Sequence, residues 1–292
     1  MLRPLMMFTF LFLVLAGFTH PSGATAVFQG QTQAPRPAAT PQPSPQNQKI
    51  EPPPKADKNQ KNFTAEQVAE STIIIYGSRP VLDQIRRNGI ERGRVCKPAC
   101  DSPTKTEEAS YERRFVRGEN SEKDKIRLDQ KMPTIEYSLI HVDGRLWGII
   151  NGASFTPRQD AANLFMSQQR HSIDALLRYK ENGSTLSLVG RDKQKGLDVF
   201  VLDVVGKDKQ NTRYYISAKT LRVLWLEYEE PSGLGAKMKF RRSFHDYRYA
   251  QSTLFPYRSV LFEDSKQTQE TRILTITYGS KLDDALFKSP EA

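Results

Sequence analysis

The feature that most constrains the fold is a close succession of β-strand patterns through the second half of the chain. Short segments of alternating apolar and polar residues are separated by polar turns, at residues 185–189, 198–205, 212–217, 222–229, 237–247, 257–263 and 271–278. Helical patterns are too few to cross over between parallel neighbours. Strands joined by short polar turns are typical of an antiparallel meander.

The first half of the chain carries further strand patterns of the same kind. They cover residues 111–116, 125–128, 134–142 and 145–150. Asp143-Gly144 separates the last two and is a strong signal for a two-residue hairpin turn. The sequence therefore predicts an α+β fold of about ten strands and three helices, dominated by one curved antiparallel sheet.

Three segments have helical patterns. Thr64 and Gln67 form a capping-box pattern that predicts a helix ending near Gly77. Pro80 suits the first turn of a second short helix. Residues 160–179 predict one long amphipathic helix, whose apolar stripe consists of Ala162, Phe165, Met166, Ile173, Leu176 and Leu177.

The first 26 residues have the pattern of a cleavable signal peptide. Arg3 precedes an apolar run over residues 5–18, and small residues follow at Ala24-Thr25-Ala26. The run is about 14 residues, whereas a membrane-spanning helix needs roughly 20, so cleavage is favoured over an uncleaved anchor. We expect an exported, periplasmic protein with no transmembrane segment after signal cleavage.

The next segment, residues 27–62, is rich in Pro, Gln, Ala and Lys. Such a composition buries too little apolar surface to offset the entropy of ordering, so it predicts a disordered, extended linker. The folded domain is then expected over residues 63–292.

The formal net charge of +10 indicates anionic partners or simply a solvated basic surface. The basic residues are interspersed with acidic ones and form no stripe with interleaved aromatics, so nucleic acid is not expected as a partner. In an exported protein, anionic lipid head groups or polyanionic envelope polymers are better candidates.

Cys96 and Cys100 are the only two cysteines. In an oxidising compartment we expect them to pair in a small disulfide, the alternative being two free thiols. The histidines of the mature chain, His141, His171 and His245, are far apart in sequence and have no metal-ligand spacing. We therefore expect no metal and no cofactor.

Five short motifs follow a shared pattern, namely residues 212–217 with 221–228, Phe244-His245-Asp246-Tyr247, Leu254-Phe255-Pro256-Tyr257, residues 282–287 with Pro290, and the opening helix that ends at Tyr76-Gly77. Together they resemble the family of bacterial envelope carriers typified by the LolA and LolB lipoprotein-sorting proteins. The resemblance implies an incomplete antiparallel β-barrel of about eleven strands closed by a few helices. It also implies an apolar hollow that shelters acyl chains.

Candidate residues for lining such a hollow come from two strands and one helix. They are Phe200, Leu202 and Val204 on one strand, Leu224, Leu226 and Tyr228 on another, and Leu164, Phe165 and Met166 on the long helix, which is the candidate lid. The alternative for each of them is an ordinary place in the core, because a sheet packed on a helix buries the same pattern.

The sequence offers no sign of catalysis. Ser-x-x-Lys, Gly-x-Ser-x-Gly and His-Glu-x-x-His are all absent. We therefore expect a non-enzymatic protein that binds or carries a lipid, an acylated protein or another apolar ligand. The alternative is an envelope sensor or protein-interaction module built on the same fold, with an envelope protein as its partner.

Overall fold

A single antiparallel sheet organises the part of the chain that the computed structural model describes, residues 63–231 and 236–289. The predicted signal peptide and linker lie outside these residues. The 13 strands described are β1 Asn88–Lys97, β2 Glu107–Val116, β3 Lys125–Lys131, β4 Glu136–Val142, β5 Arg145–Ile150, β6 Ala153–Phe155, β7 Thr185–Gln194, β8 Leu197–Val205, β9 Asn211–Ser217, β10 Val223–Pro231, β11 Lys237–Ala250, β12 Thr253–Glu263 and β13 Lys266–Tyr278.

The strand order is β6-β5-β4-β3-β2-β1-β13-β12-β11-β10-β9-β8-β7. Strands that follow one another along the chain are hydrogen-bonded neighbours, except β6 and β7 at the two edges, and β1 also pairs with β13. This pairing joins the two ends of the domain and makes one sheet out of two meanders. The sheet stays open at β6 and β7, so the predicted fold, an incomplete antiparallel barrel with a few helices, is confirmed.

Strand β1 had no clear signal in the sequence because two glycines interrupt its pattern. Gly93 pairs with Tyr111 on one side and Ile273 on the other. A Cβ atom at Gly93 would lie 2.4 Å from the carbonyl oxygen of Arg272 and 2.8 Å from the Tyr111 ring. The close approach of the neighbouring strands therefore requires glycine at a point where strand propensity disfavours it.

The helices are α1 Ala65–Tyr76, α2 Arg79–Ile85, α3 Gln159–Arg170 and α4 Ile173–Leu177. The capping box at Thr64 is confirmed, and Gly77 ends α1 with a φ of 137°. Two short 3-10 helices, Ser121–Lys123 and Asp284–Phe287, complete the described elements. No helix within the described residues has the length and apolar character needed to cross a membrane.

The prediction of one long helix over residues 160–179 was wrong, because the chain breaks between α3 and α4. Ser172 is extended there, and its Oγ accepts a hydrogen bond from the amide of Ala175 as an N-cap. The same hydroxyl donates to the carbonyl oxygen of Gln169. A serine that satisfies backbone groups in this way competes with a continuous helix, although the apolar stripe runs through it.

The main core lies between α1, α4 and strands β7 to β12 on one face of the sheet, called here the inner face. Its fully buried members include Val68, Tyr76, Leu176, Leu202, Tyr214, Leu226 and Leu254. A second apolar cluster on the same face joins α3 to the other half of the sheet, and its buried members include Phe115, Ile126, Leu139, Phe165 and Tyr278.

The predicted disulfide is confirmed, between Cys96 at the end of β1 and Cys100 in the loop that follows. Both cysteines are buried. In chain-entropy terms a cross-link over so short a loop contributes about 2 kcal/mol.

We expect Cys96→Ala with Cys100→Ala to lower the free energy of unfolding by about that amount, measured by urea denaturation. Dithiothreitol should destabilise the wild type equally and leave the double variant unaffected; sensitivity of that variant to reduction would contradict this assignment.

Candidate functional site

A cavity of about 380 Å³ lies between the inner face of the sheet and helices α3 and α4. Strands from both meanders line it. Its apolar wall consists of Ile126, Leu128, Leu139, Phe165, Phe244 and Ile273. Ile273 lies opposite Gly93, where the Tyr111 ring occupies the space beside the glycine. The cavity therefore lies where the β1 and β13 pairing joins the two meanders.

Helix α4 is held over the cavity by ion pairs to buried arginines. Asp174 lies 3.3 Å from Nη1 of Arg86 and 2.8 Å from Nη2 of Arg117. Arg86 also donates from Nη2 to the carbonyl oxygen of Leu254 at 2.6 Å. Burial by itself would raise the pKa of Asp174, but the two arginines outweigh it and hold that pKa below its usual range.

A second ion pair fixes the end of α4. Arg178 donates to both carboxylate oxygens of Asp124, at 3.0 and 2.7 Å, and to the carbonyl oxygen of Gly118 at 3.0 Å. Both Asp124 and Arg178 line the cavity. Contacts from Arg178 to two carboxylate oxygens and to a backbone carbonyl oxygen restrict the orientation of its side chain as well as its distance from Asp124. The covering helix thus has a defined position on the sheet.

The carboxyl end of α3 is attached through His171, which is fully buried. Its Nδ1 lies 2.7 Å from Oγ1 of Thr212, and its ring stacks on Tyr228 with 3.8 Å between centroids. Nε2 lies 3.6 Å from the carboxylate of Glu230. Burial lowers the pKa of His171 more than Glu230 raises it, which favours the neutral ring. The preceding part of α3 is less embedded, and Leu164 is 45% exposed.

The predicted lid residues are at or near the cavity. Leu164 and Phe165 line it. Met166 is half-buried and packs in the second apolar cluster. The ligand-binding role of these three residues remains a prediction.

The predicted strand residues do not line this cavity. Most of them pack in the main core beneath α1 and α4, namely Phe200, Leu202, Val204, Leu226 and Tyr228. Leu224 packs instead with Trp225 and Val201, in a separate cluster. A bulge between Val223 and Trp225 shifts the register, so Leu224 does not share a face with Leu226. Their proposed contact with ligand also remains a prediction.

Sequence reasoning missed the wall formed by Ile126, Leu128, Leu139 and Ile273. The alternation along β3 and β4 places these side chains on one face, but it does not say which faces share a cavity. That depends on β1 lying beside β13, a contact between residues far apart in sequence.

Within residues 63–231 and 236–289, no group of three or more His, Cys, Asp or Glu side chains is arranged to hold a metal ion. The polar groups at the cavity are chiefly ion pairs and amides. They resemble the few convergent polar groups that orient a ligand in an otherwise apolar site.

No family model matches the sequence, and no curated protein matches it significantly. Several solved structures have the same fold. A DUF1329 family protein from Desulfovibrio piger aligns with a TM-score of 0.56 at 11% identity, over 78% of this chain and 98% of that chain. A LolA superfamily protein from Nitrosomonas europaea gives 0.53 at 14% identity, over 79% and 100%.

A third similar structure is a putative outer membrane lipoprotein-sorting protein domain from Vibrio parahaemolyticus. It aligns with a TM-score of 0.51 at 13% identity, over 75% of this chain and 97% of that chain. At these identities the similarity establishes the fold and leaves the ligand open. The described part of the chain therefore has a LolA-like fold.

Proposed function

We propose that this protein is a non-enzymatic carrier in the bacterial periplasm that binds the apolar chain of a lipid or of an acylated protein in the cavity under α3 and α4. The fold supports a carrier role, because proteins of similar structure include a LolA superfamily member and a lipoprotein-sorting domain. Export through the signal peptide at residues 1–26 is part of the proposal.

The observation that carries the proposal is the cavity itself. A volume of about 380 Å³ lies near the lower end of the range for small-molecule sites. Its wall is apolar on both meanders, and Leu164 leaves an exposed apolar side chain at its rim. Burying each methylene group of a ligand contributes about 0.8 kcal/mol, so one acyl chain suffices for useful affinity.

A matched pair of neighbouring residues tests the proposal. Ile273 is half-buried and lines the cavity, whereas Leu274 is 63% exposed and is not part of the lining. Ile273→Arg places a charge in the ligand's path and should reduce the amount of co-purifying ligand at least tenfold. Leu274→Arg adds the same charge and should leave the ligand bound.

The measurement is native mass spectrometry with organic extraction of the full chain, purified gently from an envelope fraction. A lipid or lipoprotein mass in the wild type and Leu274→Arg, lost in Ile273→Arg, would support the carrier function. The proposal fails if the wild type is ligand-free and also takes up no lipid from vesicles.

A protein-interaction role is the second candidate, favoured by the open edge of the sheet at β7. Val189 on β7 and Leu197 at the start of the adjacent β8 are 54% and 53% exposed. An unpaired edge strand can accept a strand from a partner. Pull-down of an envelope protein by the wild type but not by Val189→Asp, with no lipid bound, would favour this role.

A further inference from the structure

Arg242 on β11 is a half-buried cation on the inner face, among apolar side chains and near the phenol groups of Tyr214 and Tyr228. Its direct cross-strand neighbours are Leu226 on β10 and Leu261 on β12, both buried. Two residues away along β11, on the same face, are Phe240 and Phe244. The side chain lines the cavity close to the junction of α3 and α4, together with Ser172 and Ile173.

The charge of Arg242 has no partner within residues 63–231 and 236–289. No carboxylate of these residues lies within 4.0 Å of it, and the guanidinium makes no hydrogen bond to them. Burial lowers the pKa of Arg242, which reflects the cost of keeping the cation there. Most partly buried arginines of this chain have a carboxylate, as Arg117 and Arg178 do.

The carboxylates that line the cavity do not neutralise Arg242, because each has another partner. Asp124 pairs with Arg178, and Asp174 pairs with two arginines. Glu107 pairs with Lys97 at 2.8 Å. The fourth carboxylate of the lining, Glu91, lies opposite Arg113.

Glu91 accepts a hydrogen bond from the Tyr111 hydroxyl at 2.6 Å and lies opposite Arg113 across β1 and β2. Arg113 in turn donates to Oε1 of Gln169 at 3.2 Å. Arg113 therefore has a nearby negative charge and a hydrogen-bond acceptor, while Arg242 has neither among the described residues. The uncompensated positive charge of the cavity is at Arg242.

We propose that Arg242 binds the anionic head group, a carboxylate or a phosphate, of a single-chain amphiphile whose acyl chain lies along the apolar wall of the cavity. The inference rests on the proposed carrier function and deepens it by naming the class of ligand. An anion from the ligand supplies the partner that the protein lacks. A charge-assisted hydrogen bond in such surroundings is stronger than one in water.

The test compares ligands that share one chain and differ in head group. Palmitate, palmitoyl lysophosphatidic acid and monopalmitoylglycerol displace the neutral probe N-phenyl-1-naphthylamine from the full chain at pH 7.4. We expect at least one anionic ligand to bind about tenfold more tightly than monopalmitoylglycerol. Which of the two does so distinguishes a carboxylate site from a phosphate site.

Adjacent arginines on β11 provide the matched variants. Arg242→Met should reduce the ratio of the anionic ligand's affinity to that of monopalmitoylglycerol to less than about threefold. Arg241→Met is the control, because Arg241 lies over the Trp225 ring, 5.0 Å from its centroid, and is not part of the cavity lining. Arg242→Lys keeps the charge and should retain most of the preference.

Stability without ligand gives an independent readout. Removing a half-buried cation that has no partner among the described residues should leave the Tm of ligand-free Arg242→Met unchanged or higher than that of the wild type. Equal binding of all three ligands by the wild type would overturn the head-group assignment and leave the carrier function intact. Failure of every ligand to bind would overturn both. An unchanged preference in Arg242→Met would also overturn the assignment.

Discussion

Changing Asp174 to asparagine is expected to lower the free energy of unfolding by about 3 kcal/mol. The carboxylate is the shared partner of Arg86 and Arg117, whose side chains are 1% and 10% exposed. Asparagine is nearly the same size but carries no charge, so two buried guanidinium groups lose their counter-charge. The value is at the low end for a broken buried pair because the Asp174 side chain is itself 33% exposed.

Asp160 provides the control for this variant. It is also in the first turn of a helix, α3, but its side chain is 65% exposed and pairs with an exposed Arg158. Asp160→Asn should change the free energy of unfolding by less than about 0.5 kcal/mol. Urea denaturation followed by circular dichroism at pH 7 measures both. A loss below about 1 kcal/mol for Asp174→Asn would mean that water or other groups compensate the arginines.

Because α4 covers the cavity, Asp174→Asn should affect ligand binding as well as stability. Ion pairs through Asp174 and Arg178 position α4, and His171 positions the end of α3. Most charged side chains at this end of the cavity thus hold helices α3 and α4 in place. Arg242 is the charged side chain there that has no partner among the described residues. A site whose structural charges are satisfied internally can use the remaining charge for a ligand.

Much of the fold was predictable because its signals are local. The Asp143-Gly144 turn has both residues at positive φ, 49° and 76°, as a tight hairpin requires. The capping box at Thr64 and the pairing of two nearby cysteines depend equally on residues close in sequence. For such features a pattern of a few residues is enough to specify the geometry.

The cavity was less predictable, since it depends on contacts between distant segments. An alternating pattern identifies the two faces of β10, but the bulge at Val223 to Trp225 moves Leu224 away from the face of Leu226. Likewise, Ser172 divides a continuous apolar stripe into α3 and α4. Arg242 is one of many arginines in the sequence, and only its buried neighbours Leu226 and Leu261 distinguish it.

A second large effect is expected at Glu270 as the pH falls. Burial alone would raise the pKa of Glu270, but hydrogen bonds from Arg258, Arg272 and the backbone amide of Cys100 outweigh it and lower the pKa to about 2. In the unfolded chain this carboxyl titrates near the ordinary glutamate pKa of 4.5. The carboxylate therefore contributes about 3 kcal/mol of stability above pH 5, and this contribution is lost as the pH falls towards 2.

The variant Glu270→Gln isolates this contribution from those of other acids. At pH 7 it should be less stable than the wild type by about 3 kcal/mol, and the difference should shrink by more than half by pH 3, because the carboxyl of the unfolded wild-type chain is then largely protonated while that of the folded protein is still mostly ionised. Glu136→Gln, at a side chain that is 67% exposed, should differ from the wild type by less than about 0.5 kcal/mol at either pH. Urea denaturation at a series of pH values measures the differences. A gap between Glu270→Gln and the wild type that stays constant from pH 7 to 3 would contradict the lowered pKa, since only a group that is ionised in the folded state and protonated in the unfolded state gives this dependence.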